Sequence, residues 1–441
     1  MALLSTGVAD LDVILGGGLE SGSLVVIAGA PGTGKTLLAQ QICFANATPE
    51  RKAVYYTTLQ EPHSKLVKHL EPFEFFKRDA IGVSVEFVHL GDFMNEGDDA
   101  LQPIVAEVVQ KSMDSRPSLI VIDSARSLND FFNERSLRRA IYDMASRVAH
   151  TGAVLMFVGE YTEAEIRSGR DFALADGILE LAYDRAEPMD RRWLRVIKLR
   201  GAQHLEGKHS FHISAEGLQI FPRLETITPQ DAPGLDQVER MSIGVPALDE
   251  MMGGGMHRTD ATAFMGPSGC GKTALALRYV AQGIEEGERC LYVSFQETQD
   301  QLLGKAASFG WDLTSARDSG QLAIYHVPQG RLDLDAIGAV LRRELETRSI
   351  RRVVFDSLAE LVMAASEGQR FPAFARSLLG LVRAAGASAV ITGETVTLGP
   401  DTDEARDLLF LFQNVLLLRY IEIESEIRRA LAVVKMRDSD H

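Results

Sequence analysis

The sequence predicts an α/β protein built from two tandem domains of one fold, each a mostly parallel sheet flanked by helices. Two observations carry this prediction. The 441-residue chain repeats itself once, and within each copy short, apolar, β-rich runs alternate with helical stretches. Strands that are continuously apolar and alternate with helices are typical of βαβ units around a buried parallel sheet.

The repeat is visible in long matching segments. Residues 5–36 align with residues 242–273 at an offset of 237 positions. The segment RVIKLRGAQH, which ends at His204, matches AVVKMRDSDH, which ends at His441, at the same offset. Prolines and scattered acidic residues separate the two copies and indicate a linker. The predicted organisation is a first domain at 1–222, a linker at 223–240 and a second domain at 241–441.

The individual elements are clearest in the first half. The β-rich runs that predict strands are Leu24–Ala28, Ala53–Thr58, Val85–Leu90, Leu119–Asp123, Ala153–Gly159, Ile178–Leu181, Leu194–Leu199 and Ser210–Ile213. The predicted helices are Thr36–Ala47, Ser64–Leu70, Leu101–Ser115 and Glu134–His150. The last three strands follow one another closely, so we expect them to form an antiparallel meander appended to the parallel sheet.

Composition limits the possible functions. Sixty-one acidic residues against 46 basic ones give a net charge of −15, which does not favour broad binding to nucleic acid. The cysteines, Cys43, Cys270 and Cys290, lack the spacing of a disulfide scaffold or a zinc site. We find no secretory signal and no apolar run of the ~20 residues that a spanning helix needs. We therefore expect a cytoplasmic protein without a membrane segment.

Two glycine-rich loops fit the pattern GxxxxGK[ST]. Gly29–Thr36 follows the apolar run LVVIA, Gly266–Thr273 follows ATAFM, and helix-forming residues come after both. Backbone N–H groups in such a loop turn toward phosphate, and Lys35 and Lys272 would reach the β- and γ-phosphate oxygens. The residues expected to bind nucleotide here are Gly32, Thr33, Gly34, Lys35, Thr36 and Leu37, and Gly269, Cys270, Gly271, Lys272, Thr273 and Ala274.

Each half also predicts a Mg²⁺ site. Asp123 and Asp356 each end an apolar strand, which we expect to lie beside the strand that leads into the phosphate loop. A carboxylate at that edge of the sheet can hold Mg²⁺ through water, with Thr36 or Thr273 as a direct ligand. The alternative is that each aspartate caps the helix that follows it.

Candidate catalytic residues come from the strand after each phosphate-loop helix. That strand ends in Gln60 and Glu61 in the first half, and in Gln296 and Glu297 in the second. A glutamate at this edge of the sheet can polarise the attacking water, with the glutamine as a hydrogen-bonding companion. The alternative, an exposed carboxylate at a strand end, is equally compatible with the sequence.

Two cations recur near the end of each half. Lys198 and Arg200 lie two residues apart on a predicted strand, as do Lys435 and Arg437, so both members of each pair should share a face. Such a pair suits an anion supplied from outside the domain, as with an arginine finger that acts in trans. The alternative is a solvated edge strand whose charges discourage aggregation.

Together these motifs resemble the KaiC family, which belongs to the wider RecA and RadA ATPase superfamily. The resemblance rests on TGVADLDVILGGGLESG before the first loop, on the Asp-Ser strand ends, and on KLRGAQH and KMRDSDH. It implies two tandem RecA-like P-loop NTPase domains that bind ATP and Mg²⁺ at the subunit interfaces of a two-tiered homo-hexamer. By this likeness the residues that reach the neighbour's nucleotide are Lys198, Leu199, Arg200 and His204, and Arg429 (just before the last strand), Lys435, Met436, Arg437, Ser439 and His441.

The chain also departs from that family. KaiC proteins usually carry Glu-Glu where this chain has Gln-Glu, which predicts slow or silent hydrolysis. Counting back from Tyr420, the Ser-Thr phosphoacceptor pair of clock-type members falls on Leu409 and Phe410, which have no hydroxyl. We expect an ATPase that signals to protein partners without that phosphorylation cycle.

Two other functions remain open. The first is a DNA-recombination ATPase, for which Tyr161, Arg167, Arg170 and Phe172 are the candidate contacts, although the loop at 394–408 has five acidic residues and one arginine. The second is a nucleotide-gated scaffold that does not hydrolyse ATP, which the Gln-for-Glu replacements favour. The DNA recombinase is the main alternative, although the acidic balance of the chain makes DNA an unexpected partner.

Overall fold

In the computed structural model the chain forms two compact units, residues 1–226 and 227–441. The structure describes residues 2–57, 63–93, 101–130, 132–168, 172–184, 190–227, 239–328, 332–365, 370–394 and 410–436. Each unit contains one large, mostly parallel sheet flanked by helices, which confirms the predicted fold class. Most of the predicted linker, residues 228–238, lies outside the described residues. No helix in the described ranges is both long and apolar enough to cross a membrane.

The first unit follows the predicted order of elements. Its strands are β1 (Leu3–Leu4), β2 (Leu19–Glu20), β3 (Leu24–Gly29), β4 (Ala53–Thr57), β5 (Val85–His89), β6 (Leu119–Asp123), β7 (Val154–Glu160), β8 (Gly177–Asp184), β9 (Arg191–Leu199), β10 (His209–Ser214) and β11 (Gly217–Phe221). Its α-helices are α1 (Ala9–Ile14), α2 (Lys35–Asn46), α3 (His63–Leu70), α4 (Leu101–Ser115), α5 (Glu134–Ala149) and α6 (Glu163–Ser168). The predicted strands and helices of this half are present with small shifts at their ends.

The second unit repeats this pattern with fewer strands at its end. Its strands are β12 (Arg240–Met241), β13 (Met256–His257), β14 (Ala261–Met265), β15 (Cys290–Ser294), β16 (Leu322–His326), β17 (Arg352–Asp356), β18 (Ser388–Gly393), β19 (Asn414–Ile423) and β20 (Glu426–Met436). Its α-helices are α7 (Pro246–Met251), α8 (Lys272–Glu285), α9 (Gln299–Ser308), α10 (Leu313–Asp318), α11 (Leu334–Arg348), α12 (Leu358–Ala364) and α13 (Phe371–Ala384).

The two large sheets share one strand order. The first runs β11-β10-β9-β8-β3-β7-β6-β4-β5, and the second runs β20-β19-β14-β18-β17-β15-β16 when read in the same direction. Strands β8, β9 and β10 pair antiparallel, as predicted, and β11 extends the meander by one strand that the sequence reading missed. Each phosphate-loop strand, β3 or β14, therefore lies in the interior of its sheet.

One expectation about neighbouring strands is wrong. The strands that end in Asp123 and Asp356 do not lie beside the phosphate-loop strands, because β7 separates β6 from β3, and β18 separates β17 from β14. The intervening strands are apolar and almost entirely buried, so the middle of the sheet, covered on both faces, is where they bury the most surface.

The core lies on both faces of the first sheet. Alternate residues of β3 point to opposite faces, so that Val25 and Ile27 pack in one cluster with Leu38 of α2. Val26 faces the other way, in a cluster that includes Met144 of α5. This double burial holds β3, and with it the start of the phosphate loop, in a fixed place.

Candidate functional site

The first phosphate loop is shaped by glycines at two points. Gly34 has a φ of +99° and immediately precedes α2, where a residue with a side chain would be strained. A Cβ on Gly29 would lie 2.0 Å from the carbonyl oxygen of Leu181, because β8 approaches the end of β3 closely. The loop therefore needs glycine at both positions for reasons that do not depend on a ligand.

Lys35 is folded back over this loop. Its Nζ donates to the Ala30 carbonyl at 2.7 Å, and the residue is 6% exposed. Burial lowers the pKa of Lys35, while the nearby charges of Glu160 and Asp123 oppose that shift. A buried ammonium that donates to a loop carbonyl is well placed to bind an anion that enters the loop.

Asp123 lies at the centre of a small hydrogen-bond cluster at the end of β6. Its Oδ2 accepts from Thr36 Oγ1 at 2.7 Å and from the Tyr55 hydroxyl at 2.6 Å. Burial raises the pKa of Asp123, against the hydrogen bonds from Tyr55 and Thr36 and the charge of Lys35. Burial and the Asp123 carboxylate hold the pKa of Tyr55 well above its ordinary value, so the phenol remains a donor.

The phosphate loop and the end of β6 line one pocket of about 430 Å³. Its walls include Lys35, Thr36, Asp123, His69, Phe73 and Glu160. Sequence reasoning did not select Glu160, although it is the last residue of β7, the strand between the phosphate-loop strand and the Asp123 strand. Its place at the carboxyl end of a central parallel strand was the signal that could have identified it.

The second half repeats the arrangement with one addition. Lys272 Nζ donates to the carbonyls of Gly266 and Pro267 at 2.9 Å each. Asp356 Oδ2 accepts from Thr273 Oγ1 at 2.9 Å and from the Tyr292 hydroxyl at 2.7 Å. The residue numbers of the two phosphate-site tyrosines differ by the same 237 positions as the repeat, which is the signal by which the sequence could have revealed them.

The additional contact comes from the central strand. The hydroxyl of Thr392 on β18 donates to the other carboxylate oxygen of Asp356, whereas Val158 occupies the corresponding place beside Asp123. Asp356 does not cap the next helix, because the N-cap of α12 is Ser357 and no side-chain capping bond is formed there. In this half the capping alternative is therefore wrong.

Both clusters have a chemistry that suits Mg²⁺. Each places a threonine hydroxyl against a strand-end carboxylate beside a glycine-rich loop, and Mg²⁺ prefers such hard oxygen ligands. Thr36 with Asp123, and Thr273 with Asp356, are the groups that would hold the ion next to the phosphates.

Of the two candidate catalytic pairs, the second lies in the part of the chain that the structure describes. Gln60 and Glu61 lie outside the described residues. Gln296 Nε2 donates to Glu360 Oε1 at 2.5 Å, and Glu297 Oε1 pairs with Lys305 Nζ at 2.5 Å. The structure therefore brings Glu297 close to a cation that the sequence reading did not single out.

The glutamates of the two candidate catalytic pairs lie at slightly different distances along the chain from the strand that precedes them. In the sheets Asp123 is paired with Thr57, and Asp356 is paired with Ser294. Glu61 therefore follows its paired strand residue by four positions and Glu297 by three, so the first half has one additional residue here.

The first pair of trailing cations lies at the sheet edge opposite the phosphate loop. Lys198 Nζ and Arg200 Nη2 both donate to the Ala173 carbonyl, at 3.2 and 3.3 Å, and Arg200 also pairs with Asp176. Burial and the charge of Arg200 lower the pKa of Lys198. Leu199 is aligned across β8 with Val25, near the beginning of β3. This places the pair far from the phosphate loop at the other end of β3.

His204 lies in the loop that follows these cations. It is half-buried, and the next residue, Leu205, donates its N–H to the carbonyl of Ile14 at 2.9 Å. The loop is thus attached to the end of α1 in the first unit.

In the second half Lys435 and Met436 occupy the corresponding edge. Lys435 pairs across β19 with Val415, which pairs with Ala263 of β14, and its Nζ donates to the Phe412 carbonyl at 2.7 Å. Met436 is buried. The other predicted members of this group, Arg437, Ser439 and His441, lie outside the described residues.

The expectation for Arg429 is corrected by the hairpin. Arg429 does not precede the last strand but lies inside β20, paired with Tyr420. The reason is the position of the turn, where Glu424 and Ser425 both have positive φ, so that β20 already begins at Glu426. Arg429 is six residues from Lys435 and lies toward the end of the sheet that carries the phosphate loop.

The candidate DNA contacts in the first half are partly occupied. Tyr161 and Phe172 pack edge to face at 4.8 Å, and Phe172 is 4% exposed, so it has no free face for a stacked base. Arg170 and the side chain of Arg167 lie outside what the structure describes, as does most of the acidic loop of the second half.

Two phosphate loops, each beside a Thr-Asp-Tyr cluster at the carboxyl edge of a mostly parallel sheet, define a tandem P-loop nucleotide-binding protein. The comparison with protein families gives the particular family. The chain belongs to the KaiC ATPase family, because the family model described as "ATPase: KaiC" matches residues 4–225 and again residues 241–441.

Individual relatives carry the same name. The chain is 25% identical over 446 residues to the circadian clock oscillator protein KaiC of Parathermosynechococcus lividus, covering 99% of this chain and 82% of that protein. It is 26% identical over 451 residues to KaiC of Synechococcus elongatus, covering 100% and 86%. It is 25% identical over 448 residues to KaiC 1 of Synechocystis sp., covering 99% and 85%.

Proposed function

We propose that this KaiC-family protein hydrolyses ATP slowly at the subunit interfaces of a hexameric double ring and signals through that ring to protein partners. The observation that carries the proposal is the location of Lys198 and Arg200 at the sheet edge opposite the phosphate loop of their own unit.

Distance along the sheet makes these cations unsuited to the nucleotide of their own unit. The N–H of Arg200 donates to Asp176, whose N–H donates to Leu24, so Arg200 is level with the first residue of β3. Gly29 follows Leu24 by five residues, which is about 16 Å at the rise of a β-strand. A cation in this place is suited to a nucleotide site outside its own unit, and we propose that it serves the site of another copy of the chain, where it would stabilise charge in the transition state.

The residues of each phosphate loop would bind ATP itself. Lys35 and Lys272 would contact the β- and γ-phosphates, and the Thr-Asp pairs would hold Mg²⁺. When bound, Mg²⁺ neutralises negative charge on the phosphates. Glu61 and Glu297 would accept the proton of the attacking water. A glutamine at 60 and 296 supplies no second carboxylate, which supports slow turnover.

Signalling to partners is carried over from the relatives, which are named as clock oscillator proteins. In this chain Phe410 is 67% exposed and has no hydroxyl that could accept phosphate. We propose that a partner recognises the nucleotide state of the ring.

Steady-state phosphate release tests the proposal when oligomer mass is recorded in parallel by light scattering. The wild type should release phosphate slowly, and Glu61→Gln and Glu297→Gln should each remove part of that rate, by about 10²-fold at the affected site. ATP with Mg²⁺ should convert the protein into hexamers. A monomer with and without ATP would contradict the ring.

The same measurement separates the alternatives. The scaffold alternative gains support from Gln296 and Glu297, both of which are already engaged by other side chains. An ATP-dependent oligomer that releases no phosphate would establish the scaffold. Tight, salt-sensitive binding of single-stranded DNA in a fluorescence anisotropy titration would instead favour the recombination ATPase.

A further inference from the structure

Gln296 and Glu297, which lie shortly after strand β15, are both held by charged partners. Gln296 donates to the carboxylate of Glu360, which is 2% exposed and also accepts from the Ser357 hydroxyl at 2.6 Å. Glu297 pairs with Lys305 at 2.5 Å. In this arrangement one carboxylate oxygen of the proposed base of the second half is held by an ammonium.

The backbone around Glu297 is fixed at one end by the strand. The Ser294 hydroxyl donates to the Glu297 carbonyl at 2.7 Å and accepts from its N–H at 3.2 Å. Ser294 is itself paired with Asp356, at the predicted Mg²⁺ site. Glu297 therefore starts from the edge of the sheet at which hydrolysis would occur.

Helix α9 fixes the other partner. Its first turn is closed by a capping box between Thr298 and Gln301, and it packs in the core through the fully buried Leu302 and Ala306. Lys305 lies in the last turn of this helix, and the exposed fractions of the Lys305 and Glu297 side chains are 37% and 28%. The pair therefore joins two anchored segments and is only partly open to solvent.

The contact opposes the role proposed for Glu297. A general base needs a carboxylate lone pair within hydrogen-bonding reach of the attacking water. The Lys305 ammonium occupies Oε1 and draws the side chain toward α9. The contact engages one of the two carboxylate oxygens, so Lys305 acts by fixing the direction of the Glu297 side chain toward α9 and not by occupying every acceptor site.

The first half has a different residue at the same place. Glu61 precedes His69 by eight residues, as Glu297 precedes Lys305, and His69 lines the pocket that contains Lys35. A histidine can be neutral at pH 7, whereas a lysine is charged there. At this position in the sequence a permanent cation is therefore present in the second half and a histidine in the first.

We infer that Lys305 is a positioning residue that restrains Glu297 and thereby limits ATP hydrolysis at the second-half site. This inference rests on the proposed function, because it takes Glu297 to be the base. Release of the restraint should raise kcat at that site about three- to fivefold, as expected for one partly exposed ion pair, and leave KM unchanged.

The experiment uses the whole 441-residue chain with the first site silenced by Glu61→Gln, so that the remaining phosphate release comes from the second half. Adding Lys305→Met keeps the length of the side chain and removes its charge. We expect kcat to rise and KM, together with the affinity for a fluorescent ATP analogue, to stay the same. The matched control is Arg317→Met, which removes a cation from a surface pair with Asp318 and should leave the rate unchanged.

A third variant assigns the effect. Glu61→Gln with Glu297→Gln should be nearly inactive, and adding Lys305→Met to it should give no gain. A gain without Glu297, or an unchanged or lower kcat with Glu297 present, overturns the inference and leaves the proposed function standing. If Glu297→Gln has no effect on the rate, Glu297 is not the base, and the proposed function fails at this site together with the inference.

The reverse substitution tests the position itself. In the Glu297→Gln background the first half supplies the activity, and His69→Lys places the permanent cation eight residues after Glu61. We expect kcat to fall about three- to fivefold. An unchanged kcat would overturn the view that this helical position sets the rate.

Discussion

The hydroxyl of Tyr55 donates to Asp123 at 2.6 Å, and Tyr292 donates in the same way to Asp356 at 2.7 Å. Each tyrosine lies two residues before the strand residue that is paired with the aspartate. Because side chains alternate along a strand, the tyrosine projects on the face of the sheet that carries the phosphate-loop helix.

Tyr55→Phe should weaken the response to Mg²⁺. The substitution removes one of the donors that orient the Asp123 carboxylate, and loss of such an outer contact costs about tenfold in metal affinity. Nucleotide binding titrated against Mg²⁺ measures the effect. The adjacent Tyr56→Phe is the control, since Tyr56 projects to the other face and reaches Glu107 at 3.4 Å. Equal effects from the two variants would contradict the role of Tyr55.

Two glycines of the first loop should respond differently to alanine. Gly29→Ala brings a Cβ to 2.0 Å from the Leu181 carbonyl and should lower the free energy of unfolding by about 3 kcal/mol. Gly32 has φ +74°, and no atom of the described residues lies within 4 Å of the place that a Cβ would take there. Gly32→Ala should therefore cost about 1 kcal/mol, from backbone strain alone. Urea unfolding measures both, and a Gly29→Ala protein as stable as Gly32→Ala would contradict the close approach of β8.

Asp123 should make stability depend on pH. Its pKa is raised by burial above the value of about 3.9 in an unfolded chain, so the folded protein retains a proton that the unfolded chain has released. Without nucleotide or metal, the contribution of Asp123 to stability is therefore lost as pH rises from about 3.9 through the pKa of Asp123 in the folded protein. Asp123→Asn cannot ionise, and its stability relative to the wild type should be higher at pH 7 than at pH 4. The same relative stability at both pH values in urea unfolding would contradict the shift.

Arg200 should act on the site of a neighbouring subunit. With the second half silenced by Glu297→Gln throughout, Arg200→Ala lacks the cation and Glu61→Gln lacks the base, so each alone should be about 10²-fold slower or worse. In a mixture the Glu61→Gln subunit supplies Arg200 to the intact loop of the other. Phosphate release by the mixture should exceed the sum of the two separate rates, and a purely additive rate would place Arg200 in its own subunit's site.

Arg352 should be important for the stability of the second unit. Its guanidinium is 0% exposed and donates to Glu288 at 2.5 Å, to Glu286 and to the Ser242 carbonyl at 2.7 Å. Arg352→Met removes the donor that these acceptors share, although Arg258 still pairs with Glu288, and should cost about 3 kcal/mol. Arg78→Met removes an exposed pair with Glu71 and should cost less than about 1 kcal/mol. Similar losses in chemical unfolding would show that the buried charge is not needed.

Much of the site was predictable because its signals are local. The phosphate loops, the strand-end aspartates and the helix that follows each loop are short patterns, and the helix at Leu101–Ser115 was predicted to the residue. The β19–β20 turn was missed because Glu424 and Ser425 adopt positive φ without the Asn-Gly or Gly residues that usually mark such turns.

The sequence by itself determined the duplication, the α/β class and the residues that would contact phosphate, because each depends on neighbours in the chain or on a constant offset. Only the tertiary structure decided that β7 separates β3 from β6, that Tyr55 supports Asp123 and that Lys305 holds Glu297. The strand order and the contact between Tyr55 and Asp123 join segments at least 30 residues apart in the chain. The contact between Lys305 and Glu297 depends on how α9 packs against the sheet. Such relationships are set by strand order and packing, which local residue patterns do not encode.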